Sequence, residues 1–590
     1  MIAKRIWRAG LTLALTLGAV FFAVAPPERC PQVDRDELLR SAQASVDWFV
    51  RNQDRDGTWL YEYDAADDSI VAGYNEVRHA GVTMGLYLAA AEGLPGALQS
   101  ADRGTKWALD ELTVREGWAA LAGQGRVTTG ATALFAAGLT YRREATGDTR
   151  YDRLLRRLGR FLLGQTEPSG AVLSEYSLAG DAPVPGEYSK YYTGEAYWAL
   201  ARLHRTFPGE GWNEAADRIG AYLAESRDVV ENYWPAIPDH WAAYGAAETV
   251  EFPERGGGRP LTQPEVDYAR EQAGLMGVGV RWVAQQFGPW GELVRGTDTP
   301  RGGGYGVMSE AMTGWWLAAV AEPRLAGLRE PIAERAACVA GLALEEQSDA
   351  EDAAGFAQPG RVAGAWLIDG GTRMDDQQHA LAGILRTIPI IESADSAPDA
   401  ADDGPSEWLW AIVLVLCLNP ARAAFAVPRA DRTPREVLGI SVAGGALGTL
   451  AVVAAAALAD PLLDALDVSD PSFRIAAGIV AGLTGVADLF RRPPRPEPAL
   501  PGRRAAFVPV AIPAVARPAL LVVAIGAGAD QGVLVSFGAM AVGVALLAGL
   551  VSALPTDGPR GRVLMWASRL LAAALVAGGA ILTVDGIQDV

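Results

Sequence analysis

Apolar residues gather at both ends of the chain, and between them polar and apolar positions recur with a helical period. The opening MIAKRIWRAGLTLALTLGAVFFAVAPPERC has a basic start and an apolar run of roughly 16 residues, which predicts a signal sequence or anchor helix. Ala23-Val24-Ala25 fits a small-x-small cleavage rule. Pro26 and Pro27 follow at once and hinder a peptidase, so an uncleaved anchor is expected over 1–29. From Trp408 onward lie six apolar stretches, about 408–427, 437–459, 473–490, 505–527, 532–553 and 563–584, each long enough to cross a bilayer. Between Asp36 and Glu392 helical signals come in pairs at a spacing of roughly 50–60 residues, the period of a helical-hairpin array.

One member of each pair is amphipathic and charged, as in DELLRSAQASVDWFVRNQ, YDRLLRRLGRFLLGQ and LREPIAERAACVAGLALEEQ. The other is rich in Ala, Gly, Thr and aromatics and nearly free of charge beyond its first turn, as in RHAGVTMGLYLAAAEGL, VTTGATALFAAGLTYRR and DQQHALAGILRTIPII. Six of each in alternation predict an (α/α)6 toroid over 30–391, with small-residue helices inside and charged helices outside. The acidic stretch 392–407, ESADSAPDAADDGPSE, has nothing large enough to seed a core and reads as a linker to the membrane half, 408–590. The expected fold is therefore all-α: an exported (α/α)6 toroid fused to a six-helix transmembrane domain behind an N-terminal signal or anchor helix.

Charge sets the expected topology. The connectors PRADRTPRE, RRPPRPEPALPGRR and PTDGPRGR are basic, whereas DPLLDALDVSDP, GAGADQG and VDGIQDV lack Lys and Arg. By the positive-inside rule the basic loops face the cytoplasm, which agrees with Lys4, Arg5 and Arg8 ahead of the anchor. Residues 30–407 are thus expected outside a cell membrane that the chain crosses several times. The net charge of −19 excludes nucleic acid as a partner, since a phosphate backbone needs a basic footprint. Cys30, Cys338 and Cys417 are odd in number and scattered, and suggest neither a disulfide framework nor a zinc site.

The segments CLNPARAAFAVP, FRIAAGIVAGLTGVADLF, FVPVAIPAVARPALLVVAIG and ILTVDGI resemble, in order and spacing, the MarC family of six-span membrane proteins over about 180 residues. The resemblance implies a transporter-like module. Asn419-Pro420 in the first span and Pro509, Pro513 and Pro518 in the fourth occupy equivalent places in two three-helix halves. Proline within a span frees backbone groups, either as a simple kink or as the discontinuous helix that lines a transporter site. Asn419, Pro420, Pro513, Arg517 and Pro518 are therefore the candidate membrane-domain site. Ala516-Arg517-Pro518-Ala519 stands where that family has Gly-Pro-Gly, and it puts a cation in mid-segment.

The turns QDRDGTW and QTEPSG after outer helices resemble those of the six-hairpin glycosidase-like superfamily. That layout implies that the N-terminal ends of the inner helices open on one face, so polar residues of their first turns look into a funnel. Candidate catalytic residues are Asp375, Asp376 and His379 on the sixth inner helix, Asp239 and His240 on the fourth, Glu195 on the third and Glu310 on the fifth. Candidate substrate contacts are Asn75, Glu76, Arg78, His79, Trp59, Tyr191, Tyr192, Tyr244, Tyr305 and Gln378. Three of the four histidines, His79, His240 and His379, are expected to meet at the mouth. Aromatic faces beside carboxylates and amides suit a sugar. Each residue also has a structural reading: a histidine satisfied at a helix start, an aspartate favoured by the helix dipole, a packed indole.

Three functions fit such a mouth. Glycoside cleavage would set Asp375 or Asp376 against Glu195, Asp239 or Glu310 as acid and base or nucleophile. Epimerisation or isomerisation would use His240 and His379, because the N-acylglucosamine 2-epimerase family resembles this layout and uses histidines as acid and base. A non-catalytic glycan receptor coupled to the membrane domain is the third. The expected partners are the lipid bilayer and a cell-wall or extracellular glycan. No cofactor is expected, and no spacing of the histidines demands a metal. A terpene cyclase, also toroidal with glutamine–tryptophan turns, is disfavoured because RMDDQ lacks the preceding aspartate of that acid motif.

Overall fold

The computed structural model describes residues 28–123, 126–232, 238–250, 258–288, 291–296, 300–394, 407–466, 468, 470–491, 500–556 and 558–588. Most of the expected anchor (1–27) and of the linker (395–406) lies outside the described residues. Contacts divide the chain into two units, one of Arg29–Ala284 with Thr297–Ala401, the other holding Gln285–Gly296 and Asp402–Val590.

In the first unit the charged helices form for local reasons and are fixed by one face. Arg35–Arg51 opens with a reciprocal capping box between Asp34 and Glu37. Asp152–Gln165 buries Leu155, Leu158, Phe161 and Leu162, a spacing of three and four that turns its arginines outward. The other outer helices are Ala97–Asp110, Trp212–Glu225, Gln263–Phe287 and Arg329–Glu345. The six inner helices are Glu76–Ala91, Thr129–Thr146, Tyr192–Thr206, His240–Thr249, Gly302–Ala321 and Met374–Ala394. Each packs on the next, and the sixth packs back on the first, so the ring closes.

Small residues allow that closure. In Thr129–Thr146 every residue from Thr129 to Arg142 is buried, which leaves no polar face to solvent. A Cβ on Gly306 of the fifth inner helix would lie 2.1 Å from the His379 carbonyl carbon of the sixth. Only glycine permits that approach, and it sets where His379 stands.

Connections from outer to inner helices carry short strands that the all-helical reading did not include. β1 (Glu62–Asp64) pairs antiparallel with β2 (Ser69–Ile70) and with β8 (Gly371–Arg373), joining the first and last inner-helix entries with Tyr63 opposite Thr372. β3 (Leu112–Val114), β4 (Ala119–Gly123), β5 (Arg126–Thr128), β6 (Glu175–Ser177) and β7 (Ala182–Pro183) form a second antiparallel sheet in that order. Glutamines at the ends of outer helices brace these turns. Gln53 Nε2 donates to the Gly57 and Ser100 carbonyls at 3.0 Å, and Gln347 Nε2 donates to those of Ser41 and Gly364 at 3.1 and 3.0 Å.

Two of the scattered cysteines do pair, contrary to what their spacing suggests. Cys30 and Cys338 form a disulfide across 308 residues, with Cα atoms 4.5 Å apart, leaving Cys417 free and buried. Spacing could not reveal the bond, because only closure of the ring brings the two together. Arg29, beside the bond, reaches Glu345 at 2.7 Å.

Among the described residues of the second unit five helices are long and apolar enough to cross a membrane: Trp408–Ala426, Pro434–Ala457, Asp470–Phe490, Val533–Ala553 and Gly558–Ile587. The fourth of the six expected spans is interrupted, as Phe507–Val515 followed by Pro518–Gln531. Pro513 lies in the first of these pieces, and Arg517 and Pro518 at the break. The first span breaks as well, at Asn419, which is left-handed (φ 49°) and caps a short helix begun by Pro420. The two breaks meet. Arg517 donates to the Cys417 carbonyl at 3.1 Å and grips Asp488 at 2.8 and 3.1 Å, and Arg422 reaches the same carboxylate at 3.1 Å. The mid-segment cation is thus neutralised within the bundle, as burial requires.

Candidate active site

The fourth inner helix begins where a buried ion pair places it. Asp239 caps the helix, its Oδ1 accepting from Trp241 N and Ala242 N at 3.1 Å and its Oδ2 from Arg227 Nη1 at 2.6 Å. Both side chains are fully enclosed, and Gln272 of the fifth outer helix accepts from Asp239 N at 2.9 Å. Asp239 is therefore occupied as a cap and positions its neighbour.

That neighbour, His240, is 3% exposed, and neither ring nitrogen has a hydrogen-bond partner. Its ring centroid is 5.3 Å from that of His379 on the sixth inner helix. His379 Nδ1 meets Glu310 Oε2 of the fifth at 2.6 Å, and the other oxygen of the wholly buried Glu310 accepts from Tyr244 Oη at 3.0 Å. The two imidazoles are pushed apart electrically. Burial, then the charge of His379, holds the pKa of His240 well below the usual imidazole range. Burial opposes charge on His379 too, but Glu310, with Asp375 and Asp376, outweighs it and raises its pKa. The two shifts run in opposite directions, down for His240 and up for His379.

His79 is not with them, contrary to expectation. It is fully buried, with Nδ1 on Tyr74 Oη at 2.8 Å, Nε2 on the Gly104 carbonyl at 2.9 Å, and its ring between Trp107 and Trp59. Burial drives its pKa down to about 3. Trp59 is 2% exposed and packs as core. Asn75 is a cap, its Oδ1 accepting from Arg78 N. The Glu76 carboxylate presses on Gly123 of β4, about 2.1 Å from where a Cβ would stand.

The remaining expected residues are partly exposed or buried, each with its own partners. Asp375 is held by Arg78 at 3.2 Å and Arg373 at 3.3 Å, with the Arg78 guanidinium over the Tyr61 ring. Asp376 is buried, accepts from Gly303 N at 3.3 Å and lies 3.7 Å from Arg301. Burial, then Asp375, raises its pKa against the arginines. Glu195 is buried with an unpartnered Oε2, and burial, then the charge of Asp239, pushes its pKa up to about 8. It fits against Gly130 and Tyr192, where a Cβ on the glycine would meet both. Tyr191 is 40% exposed at the start of the third inner helix. Gln378 is buried against Gly81 of the first, and Tyr305 is fully buried, with Glu346 and Glu345 the charges that act on it.

Two contributors escaped the sequence reading. Trp241 lies 4.3 Å from His240 and 5.8 Å from His379, centroid to centroid, although consecutive residues of a helix point roughly 100° apart. Tyr61, in an outer-to-inner connection, carried no periodic signal. His240, Glu310 and His379 each offer a ligand atom within 4.8 Å of the others, a spacing at which the three could hold a metal ion.

No family model and no curated protein sequence matches the chain. Solved structures superimpose on about three fifths of it. Cellobiose 2-epimerase from Spirochaeta thermophila DSM 6192 is 14% identical, with 61% of this chain and 98% of that one covered at a TM-score of 0.44. An unsaturated glucuronyl hydrolase specific for heparin is 11% identical over 61% and 99%, at 0.42. The type II terpene cyclase MstE from Scytonema is 14% identical over 60% and 99%, at 0.37. At such scores, and across three unlike chemistries, none bears on what this chain does.

Proposed function

We propose that the ring is a carbohydrate epimerase or isomerase that moves a proton at the carbon beside an open-chain sugar carbonyl, with His240 as base and His379 as acid. The observation that carries this reading is the pair itself: a buried, unpartnered imidazole 5.3 Å from one that is hydrogen-bonded to the buried carboxylate of Glu310. An acid and a base in different protonation states at one place are what such a reaction needs. His240 takes the proton from carbon, and the electron pair of the broken C–H bond forms the enediol double bond. The carbonyl oxygen or the opposite face of the carbon receives the proton that His379 gives up. No oxidant or reductant enters the balance. Tyr61, Arg78, Arg373 and Asp375, joined in one cluster, supply the aromatic and polar surface that holds a sugar.

A second reading, glycoside hydrolysis, is favoured by one group. Glu195, uncharged below about 8, has the character of a general acid. Asp375 and Asp376 suit it less, because arginines engage both. The Cys30–Cys338 bond supports an oxidising compartment and hence a ring outside the cytoplasm. We read the membrane half as MarC-like on its motifs, with the interrupted first and fourth spans as its substrate path.

The test is to incubate the full chain in detergent with aldoses and disaccharides in D2O. Carbon-bound deuterium beside the carbonyl is the expected result, and glycan cleavage without it sinks the reading in favour of hydrolysis. The rate is expected to fall as pH rises through the elevated pKa of His379. It should show no acid limb near 6.5, because His240 stays neutral far below that value.

A further inference from the structure

We propose that His240, Glu310 and His379 also form a site for one divalent transition-metal ion of the class that imidazoles favour, such as zinc, cobalt or nickel, and that the ion displaces the acid's proton and silences the pair. The binding stands by itself, while the inhibition rests on the acid–base reading above.

Three observations carry it. One ligand atom from each of the three side chains lies within 4.8 Å of the other two, on three different inner helices. His240 is buried with both nitrogens free, so a lone pair points into this space with nothing to accept it. Glu310 is backed by Tyr244 Oη on its far oxygen, the outer contact that orients a ligating carboxylate. The separation of 2.6 Å between His379 Nδ1 and Glu310 Oε2 is a hydrogen bond. Two ligands on one tetrahedral ion at about 2.1 Å each stand about 3.4 Å apart, so the proton-bridged pair becomes metal-bridged once it opens by roughly 0.8 Å, a side-chain rotation's worth.

The donor set selects the ion. Two imidazoles and one carboxylate leave a fourth position to water or to a sugar hydroxyl, whereas calcium and magnesium ask for oxygen alone. His379 gives up a proton on binding, so the site keeps a moderate charge, with Asp375 and Asp376 alongside. Its side chain is 19% exposed, which provides the entry. His79 cannot take part, since both its nitrogens are engaged elsewhere.

The experiment uses the full chain in detergent, stripped with chelator and titrated with Co2+ while the visible absorption is followed, with Zn2+ calorimetry in parallel. One equivalent with a four-coordinate cobalt spectrum is expected at pH 8, weakening up to tenfold per unit as pH falls and His379 keeps its proton. His240→Gln and His379→Asn, checked by unchanged melting, are expected to lose that equivalent, and His204→Gln to keep it. Identical isotherms in wild type and both variants would mean surface binding only and overturn the proposal, as would a featureless cobalt titration. Turnover is read on the same samples. Activity that survives a filled site overturns the inhibition. No turnover in any form refutes the enzyme reading, and the isotherms still decide the metal site.

Discussion

His240→Gln is expected to lower proton exchange at the sugar carbon by about 10²–10⁴ while leaving the ring folded. Glutamine is close in size to histidine, the Asp239 cap and its Arg227 contact stay in place, and no hydrogen bond is lost because the imidazole makes none. His79→Gln should do the reverse. Its ring joins Tyr74 and Gly104 and stacks on Trp107, so removal strands buried polar groups at roughly 1–3 kcal/mol each without touching the chemistry. Deuterium incorporation and melting temperature, measured on both variants, separate the two roles. A His240→Gln protein that exchanges at the wild-type rate removes the base from the mechanism.

Arg227→Leu is expected to destabilise the ring by about 3–5 kcal/mol, among the largest effects of any single change in it. Arg227 and Asp239 are both fully enclosed, 2.6 Å apart, and loss of the guanidinium leaves an uncompensated carboxylate at the start of the fourth inner helix. That helix start also fixes His240, so proton exchange should fall together with the melting temperature. Adding Asp239→Asn to Arg227→Leu removes the stranded charge and should recover most of the stability, since asparagine still caps a helix. A double variant no more stable than Arg227→Leu would show that the pair acts through packing and not through charge.

These two changes mark what the sequence could and could not convey. A polar residue in the first turn of a small-residue helix was a readable signal, and the structure has His240 at the start of the fourth inner helix and Asp375, Asp376 and His379 in the first turns of the sixth. The same signal misplaced His79, because its partners, the Gly104 carbonyl and the Trp107 ring, come from an outer helix whose approach no periodicity encodes. The upward shift of His379 depends on Glu310, and so on how closely the fifth and sixth inner helices pack at Gly306. The Cys30–Cys338 bond was invisible for the same reason: it is a product of closure. The connecting strands, five residues at most, are too short to show alternation. In the membrane half the prolines did mark both breaks, but that Arg517 would be met by Asp488 needed the bundle.

The most direct test is the ¹⁵N spectrum of the histidine side chains of the full chain in detergent, followed with pH; only four histidines are present, so single substitutions assign them. At pH 7 the expected spectrum has His379 as imidazolium and both His240 and His79 neutral, with His379 losing its proton above the ordinary 6.5 and His240 staying neutral well below it. Joint titration of His240 and His379 near 6.5 would contradict the account, for the ring would then hold two ordinary histidines and no acid–base pair.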